Sequence, residues 1–420
     1  MSTTPNAITP FEETRIAEML LAETAVRVEL PPSWHRVAVE RYEAVRKHIE
    51  RPDSPLHDQV ERFYPQGSMA IGATIRTRKH ETGYDIDIVA ELILPPDTPP
   101  DRVLDLLYQA IKGEPRSRYA HMVERQTRCV TVHYEDGMHL DVTPSILIDP
   151  ADPRRSWIFH AKPDEPAEQH DRLIVNSFAF AEWFNECTPI DLQFAESYRQ
   201  RALAHEKKIV LKEAEVDPVP DHSIDDGGKS VTVVALQLLK RNRNIIYRAR
   251  RGCRMPPSVF LSCIAGQVAT EGARISEALA AICNGLLREL DAAEREGRLI
   301  DVRNPRCEAD RFTDRWPEDR AAQRRYIDDL RTFRDQLFEL IAENSPKDKA
   351  ELLEQMFGED PAQSVIEHYA RAYGSAISQG AHGVGPSGRI VTGVTAACTG
   401  APAARATPPP PHRFYGGDWR

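Results

Sequence analysis

The segment Gly67–Leu92, GSMAIGATIRTRKHETGYDIDIVAEL, decides the fold. It runs into YDIDIVAELIL, rich in β-branched residues and closed by Pro95 and Pro96, which reads as a strand. Strand side chains alternate faces, so Asp85 and Asp87 point the same way and lie side by side. Ile86, Ile88 and Val89 mark an interior strand, where an unpaired pair of acids is costly. Two like charges that close need a cation, a shared proton or open water. A lone D-x-D is more often an exposed edge or a structural ion pair than a catalytic feature, so its reading depends on what accompanies it.

A third acid follows. CVTVHYEDGMHLDVTPSILI reads as a hairpin turning at Glu135-Asp136-Gly137, with Asp141 on its second strand. Around these strands lie two amphipathic helices. The first, over 31–50, has Ser33 as candidate cap and Trp34, Ala38, Tyr42, Val45 and Ile49 at helical spacing; the second is DRVLDLLYQAIKG. From about Asp171 helical periodicity dominates, interrupted by VDPVPDHSIDDGG and by GRLIDVRNPRCEADRFTDRWPED. From Gly380 the composition turns to small residues and proline, which predicts a disordered tail. The expected organisation is residues 1–170 as an N-terminal helix and α/β core, 171–379 as a helical lobe, and 380–420 as a flexible tail.

The chain has 420 residues, 41% hydrophobic and 28% charged, enough for a sizeable core. A net charge of −10 argues against a protein whose main task is coating nucleic acid. Seven scattered cysteines without C-x-x-C predict neither a disulfide framework nor a zinc site. The N-terminus lacks a signal-peptide pattern, and no stretch approaches the ~18 apolar residues of a membrane span. The expected location is the cytoplasm, without membrane attachment.

In chain order the chemistry-bearing residues are Gly67-Ser68, Asp85-x-Asp87 and Asp141. Three carboxylates on neighbouring strands make an oxygen-ligand site suited to Mg²⁺. In a two-metal site the ions lie roughly 3.5–4 Å apart, one activating the attacking hydroxyl and one steadying the leaving group. Asp85 and Asp87 would bridge both ions and Asp141 would hold the activating one. The Gly-Ser turn supplies backbone N–H groups and a hydroxyl for an anionic triphosphate.

The series GSMAIGATI, YDIDIV and LDVTPS resembles the polymerase-β-type nucleotidyltransferase core, and specifically the bacterial cGAS/DncV-like nucleotidyltransferases (CD-NTases) of CBASS anti-phage systems. VALQLLKRNRNIIY, MPPSVFLSCIAG and NPRCEADRFTDRW extend the resemblance over roughly residues 30 to 375. It implies an α+β fold: a mixed sheet with flanking helices plus a C-terminal helical lobe, the active site lying in the cleft between them. It implies transfer of a nucleotidyl group between nucleoside triphosphates, pyrophosphate release, and closure into a cyclic di- or trinucleotide second messenger sensed by a downstream effector. Asp85, Asp87 and Asp141 match the catalytic metal ligands; Gln66, Gly67, Ser68, Lys240 and Ser258 match nucleotide-binding positions. Two Mg²⁺ ions, or Mn²⁺ in their place, are the implied cofactors, and ATP is the default substrate. Ser258 also reads as a simple helix N-cap. Asn242 stands where the pattern has histidine, and GGKSVTVV lacks the usual proline and arginine, which bears on base selectivity.

The run KRNRNIIYRARRGCR, 240–254, reads as an electropositive wall beside the triphosphate, as a surface for an activating nucleic acid, or as a solvated helix face; the expectation is Lys240 inward and most of Arg248 to Arg254 at the surface. A nucleic-acid activator is disfavoured. His139 shares the face of Asp141, and packing is the expected role for it and for His133. The terminal HRFYGGDWR resembles tails conjugated by a partner protein; a docking strand for a partner, or a plug folded back over the core, would use the same aromatics. The rival readings are a linear transferase acting on RNA or protein, which predicts a basic groove, and a silent scaffold, which predicts a lost acid.

Overall fold

The fold is described by a computed structural model covering residues 10–76, 83–149, 151, 154–212, 228–343, 346–359, 362, 382–384 and 390–392. Helices α1 (Pro10–Val28) and α2 (Pro32–Ile49) lead into strand β1 (Val60–Pro65), the short helix α3 (Gly67–Ala70) and strand β2 (Tyr84–Leu92). Helix α4 (Pro100–Lys112) precedes strands β3 (Val123–Arg125), β4 (Val130–His133), β5 (Met138–Leu147), β6 (Ser156–His160) and β7 (Asp171–Val175). Helices α5 (Ser177–Cys187), α6 (Leu192–Lys212), α7 (Val231–Arg248), α8 (Ser258–Val268) and α9 (Ile275–Arg295) follow. The short strands β8 (Arg303–Asn304) and β9 (Cys307–Arg311) then separate them from α10 (Arg320–Ala342) and α11 (Pro346–Phe357).

The sheet is mixed, in the order β1-β2-β5-β4-β3, with β6 on β5 and β7 on β6. Strand β2 is interior, antiparallel to β1 and parallel to β5. Its alternate residues Ile86 and Ile88 join Val130, Val132, Leu140 and Val142 on one face. Ala38, Val45 and Ile49 of α2 and Leu104, Leu107 and Ile111 of α4 cover that face. Burial of each valine, leucine or isoleucine contributes about 1.5–3 kcal/mol, and together they leave the opposite face of the same strands to the acids. Pro31, not Ser33, caps α2; the Ser33 backbone N–H instead donates to Glu206 Oε1 at 2.9 Å.

The helices build a second core. Leu20, Leu21 and Ala25 of α1 pack there among Leu238, Leu279 and Leu337, so the first helix belongs with the helical half although it precedes the sheet. Ile71 and Ala73, just beyond α3, are rooted in the same core. Strand β7 extends the sheet past Asp171, where the sequence pattern points to helix; pairing with β6 decides its conformation. Two further segments depart from the expectation of a structureless tail. His382–Val384 and Ile390–Thr392 pair as antiparallel strands β10 and β11, consistent with the β-branched Val384, Ile390 and Val391. The HRFYGGDWR peptide and the loop from Val216 to Gly227 lie outside the described residues. No described helix is long and apolar enough to cross a membrane.

Helix α7 is buried along nearly its whole length, and this redefines the basic run. Arg241 Nε donates to the Phe357 carbonyl at 2.8 Å and Asn242 Nδ2 to the Met356 carbonyl at 2.9 Å. Both satisfy carbonyls at the C-terminus of α11, where the helix itself provides no donor. The wall reading is therefore corrected for these two residues: they are capping groups. Arg248, Arg251 and Arg254 are exposed, as expected, while Arg250 grips Asp329 with two hydrogen bonds of 2.6 and 2.7 Å. Asn242→Ala leaves the Met356 carbonyl buried without this donor and should cost about 1–3 kcal/mol; a lowered urea midpoint with unchanged slope is the expected readout.

Candidate active site

Parallel pairing of β2 with β5 sets Asp85 beside His139 and Asp87 beside Asp141. Neighbouring strands lie about 4.8 Å apart, so the nearest like charge to Asp87 comes from across the ladder. Burial, then Asp141, then Asp85 push the Asp87 carboxyl up to about 7, while Lys240 pulls it down. The sequence pairs Asp87 with Asp85; in the structure Asp141 is the stronger neighbour. Thr131, opposite Asp141 on β4, donates its hydroxyl to Asp141 Oδ1 at 2.5 Å and fixes one carboxylate oxygen.

The turn at the start of α3 is pressed against these acids. Gly67 has φ +56, and a Cβ there would stand 2.9 Å from Asp87 Oδ2. Glycine is required twice over, for the left-handed backbone and for the approach. The Gln66 N–H donates to the Asp87 carbonyl at 2.9 Å, and the Gln66 amide bridges Thr143 at 3.2 Å and Ser177 at 3.0 Å. Ser68 accepts from Thr74 Oγ1 at 3.3 Å, and its carbonyl accepts from the Ala73 N–H at 2.8 Å. Gly67 and Ser68 thus present a short turn directly above Asp87.

The helical half holds that turn from behind. Lys240 Nζ donates to the Ala73 carbonyl at 2.7 Å, and Gln237 Nε2 to the Thr74 carbonyl at 3.0 Å. Burial, then the Arg243 charge, bring Lys240 down to about 7, with Asp87 and Asp85 pulling the other way. Ser258 is the first residue of α8, capped by Pro257; its hydroxyl accepts from Arg243 Nη1 at 3.1 Å. Arg243 therefore joins α7 to the start of α8, and α8 packs on α3. The N-cap reading of Ser258 is corrected by one position.

The sequence pattern marks Arg243 only as part of the basic run and leaves Gln237 and Thr131 unmarked. Gln237 precedes Lys240 by three residues and shares its helix face, which was a usable signal. Thr131 alternates with Val130 and Val132 and could have been placed on the acid face by the same rule that placed Asp141. His133 and His139 stack edge to face with centroids 4.7 Å apart, and His133 Nε2 lies 3.0 Å from Glu124, the packing role expected of them. The third acid of β2, Glu91, is buried between Arg154 at 3.7 Å and Arg62 at 4.0 Å and is a structural ion pair.

Among the described residues no three acid, histidine or cysteine side chains are already closed into a metal cage. The donor set nonetheless fits a hard divalent cation: three carboxylates gather on one face, and burial, followed by the Asp141 and Asp85 charges, raises the Asp87 carboxyl, an environment that a cation would relieve.

A mixed sheet carrying these acids against a helical lobe defines a nucleotidyltransferase. The sequence profile of the Second Messenger Oligonucleotide or Dinucleotide Synthetase domain matches residues 24–153. The chain is 41% identical to the cyclic dinucleotide synthase CdnG of Bradyrhizobium diazoefficiens, over 93% of this chain and 92% of that one. It is 24% identical to a c-di-GMP synthase of Roseivirga ehrenbergii over 99% of this chain and 100% of the relative. The solved CdnG from B. diazoefficiens in complex with GTP superposes with a TM-score of 0.72 at 39% identity, covering 84% of this chain and 99% of the other. E. coli MS115-1 CdnC with ATP shares the fold at 16% identity and TM-score 0.53, over 81% of this chain and 97% of that one. The chain belongs to the CD-NTase family of cyclic nucleotide synthases.

Two outcomes test the geometry. Gly67→Ala should lose about 1–2 kcal/mol of stability from the left-handed backbone alone and displace the Asp87 carboxylate, measured by denaturant unfolding. A carboxyl whose folded pKa is raised stabilises the fold while protonated, and that contribution is lost as pH rises from about 4 through about 7. In divalent-free buffer Asp87→Asn should therefore melt a few degrees above wild type at pH 8, with the gap closing toward pH 4.

Proposed function

We propose that this chain condenses two nucleoside triphosphates into a cyclic dinucleotide, with GTP ahead of ATP as substrate. The support for guanine is the c-di-GMP synthase relative and the GTP-bound CdnG. The observation that carries the reaction is the face shared by Asp85, Asp87 and Asp141, with Gly67 in contact range of Asp87.

In this reading the Gly67-Ser68 turn and Lys240 receive the donor's triphosphate, and Gln66, bonded to Thr143 and Ser177, keeps the turn in place. Mg²⁺ held by Asp85, Asp87 and Asp141, as two ions, would supply the charge that acidifies the acceptor hydroxyl and steadies pyrophosphate. Thr131 keeps Asp141 turned toward the acceptor. The acceptor's 3′- or 2′-oxygen bonds to the donor α-phosphorus, the bond from that phosphorus to the bridging oxygen breaks, and pyrophosphate leaves with its electron pair. The hydroxyl proton passes by way of Asp141 to water. A second transfer by the same groups closes the ring. The product would serve as a second messenger in anti-phage defence, sensed by a separate effector, and an activating or tail-conjugating protein partner remains part of the reading.

The test is incubation with α-³²P-labelled GTP, ATP, CTP or UTP and Mg²⁺ or Mn²⁺, resolving phosphatase-resistant products by mass. Cyclic di-GMP or a mixed guanine dinucleotide is expected, falling by about 10²–10³-fold in Asp87→Asn. Labelled RNA or labelled protein in its place would overturn the proposal.

A further inference from the structure

A cluster of arginines on the far side of Asp141 has no part in the chemistry above. Strands β4 and β6 pair with the same edge of β5, Val130 opposite Val142 and Ile158 opposite Ser145, because β2 occupies the other edge. Paired residues share a face, so Ile158 and, two residues on, His160 lie on the side of Asp141 and Thr143. The turn before β4 abuts the end of β6, the Ala161 N–H donating to the Thr127 carbonyl at 3.0 Å. Arg128, in that turn, donates from Nε to His160 Nδ1 at 3.2 Å and from Nη2 to Asp314 Oδ2 at 2.8 Å, reaching from the sheet to the helical half. Arg254 Nη1 donates to the Arg315 carbonyl at 3.2 Å, and Arg254 pairs with Glu318 at 3.6 Å. Burial and then the Arg128 charge hold the Arg315 guanidinium below its usual range, with Arg254 adding to the effect. Arg315 thus lies in electrostatic range of both Arg128 and Arg254, and Asp314 and Glu318 pair with Arg128 and Arg254 respectively.

Their position relative to the acids is the informative point. Across the sheet the order runs from Gly67, to Asp87 on β2, to Asp141 on β5, to the turn carrying Arg128. That turn leads straight into β4, where Val130 lies opposite Val142 and Thr131 opposite Asp141, so Arg128 is three residues from the strand partner of that acid. The donor's phosphates are assigned to the Gly67 side. A ribose carries its 3′-hydroxyl and its 5′-phosphates at opposite edges. An acceptor whose hydroxyl rests at Asp141 therefore sends its triphosphate away from Gly67, toward Arg128.

We propose that Arg128, Arg254 and Arg315 seat the 5′-triphosphate of the acceptor nucleotide, an inference that rests on the nucleotidyl-transfer reading above. Arginine suits the role, since its planar fork pairs with phosphate oxygens in a bidentate manner. The cluster keeps the two polyphosphates on opposite sides of the acids, and it would hold the triphosphate that the linear intermediate retains until ring closure.

The experiment uses the full chain with Mg²⁺ and α-³²P-labelled 3′-deoxy-GTP as donor, and compares GTP with guanosine as acceptor. Wild type should favour GTP. Arg315→Ala and Arg128→Ala should each lower that preference by about tenfold or more through a higher KM for GTP as acceptor, and Arg315→Lys should recover part of it. A purely structural tie between sheet and helices would lower the melting temperature and depress both acceptors equally; an unchanged preference in the folded Arg315→Ala variant overturns the proposal. Transfer by wild type to neither acceptor, with label appearing in RNA or protein, would refute the nucleotidyl-transfer reading itself and is thereby distinguished from failure of the arginine seat alone.

Discussion

The repulsion between Asp87 and Asp141 is the constraint around which the molecule is arranged. Parallel pairing holds them in register, and the turn at Gly67 closes over Asp87 so tightly that a single methyl group would collide with its carboxylate. A fold has no stability reason to gather acids this way, since each is more costly for the presence of the other. The cost is tolerated because the opposite face of the same strands is fully apolar and anchored by α2 and α4. Strand alternation thus separates two tasks within a few ångströms, with stability drawn from Ile86 and Ile88 and charge concentrated at Asp85 and Asp87.

The helical half contributes rigidity where the sheet cannot. Helix α7 reaches down to the segment after α3 with Gln237 and Lys240, both donating to backbone carbonyls. Ile71 and Ala73 are buried among the helices, so the turn that bears Gly67 is held from both sides. Lys240 has a second relation, to Asp87 and Asp85, and is the cation that burial places closest to balancing them. One side chain thereby ties the placement of the turn to the charge state of the acids. Three residues further along α7, Arg243 ties that helix to Ser258 at the start of α8.

Much of this was legible in the order of residues. The spacing of Asp85 and Asp87 and the hairpin that brings Asp141 are local patterns of period two, and the helix over 31–50 is a local pattern of period 3.6. What was hidden depends on contacts distant in sequence. Strand β7 adopts its conformation through β6, and α1 sides with helices that follow it by some two hundred residues. The dominance of Asp141 over Asp85 as the neighbour of Asp87 follows from strand order, which no single segment encodes. The run KRNRN looked uniform as charge, yet burial sorts it into a lysine at the turn, two capping groups and an arginine linking helices.

That sorting bears on how base selectivity is to be sought. Asn242 departs from the residue expected at its position, and the departure invites a reading in terms of substrate choice. Its amide is spent on the end of α11, inside the core and pointed away from the turn that Lys240 holds. Adjacent helical positions face directions about 100° apart, so a residue two places beyond Lys240 lies on the far side of α7. The Asn242 amide is therefore not aimed at the acid-bearing face of the sheet. The sequence departure at Asn242 records instead how this chain fastens the end of α11.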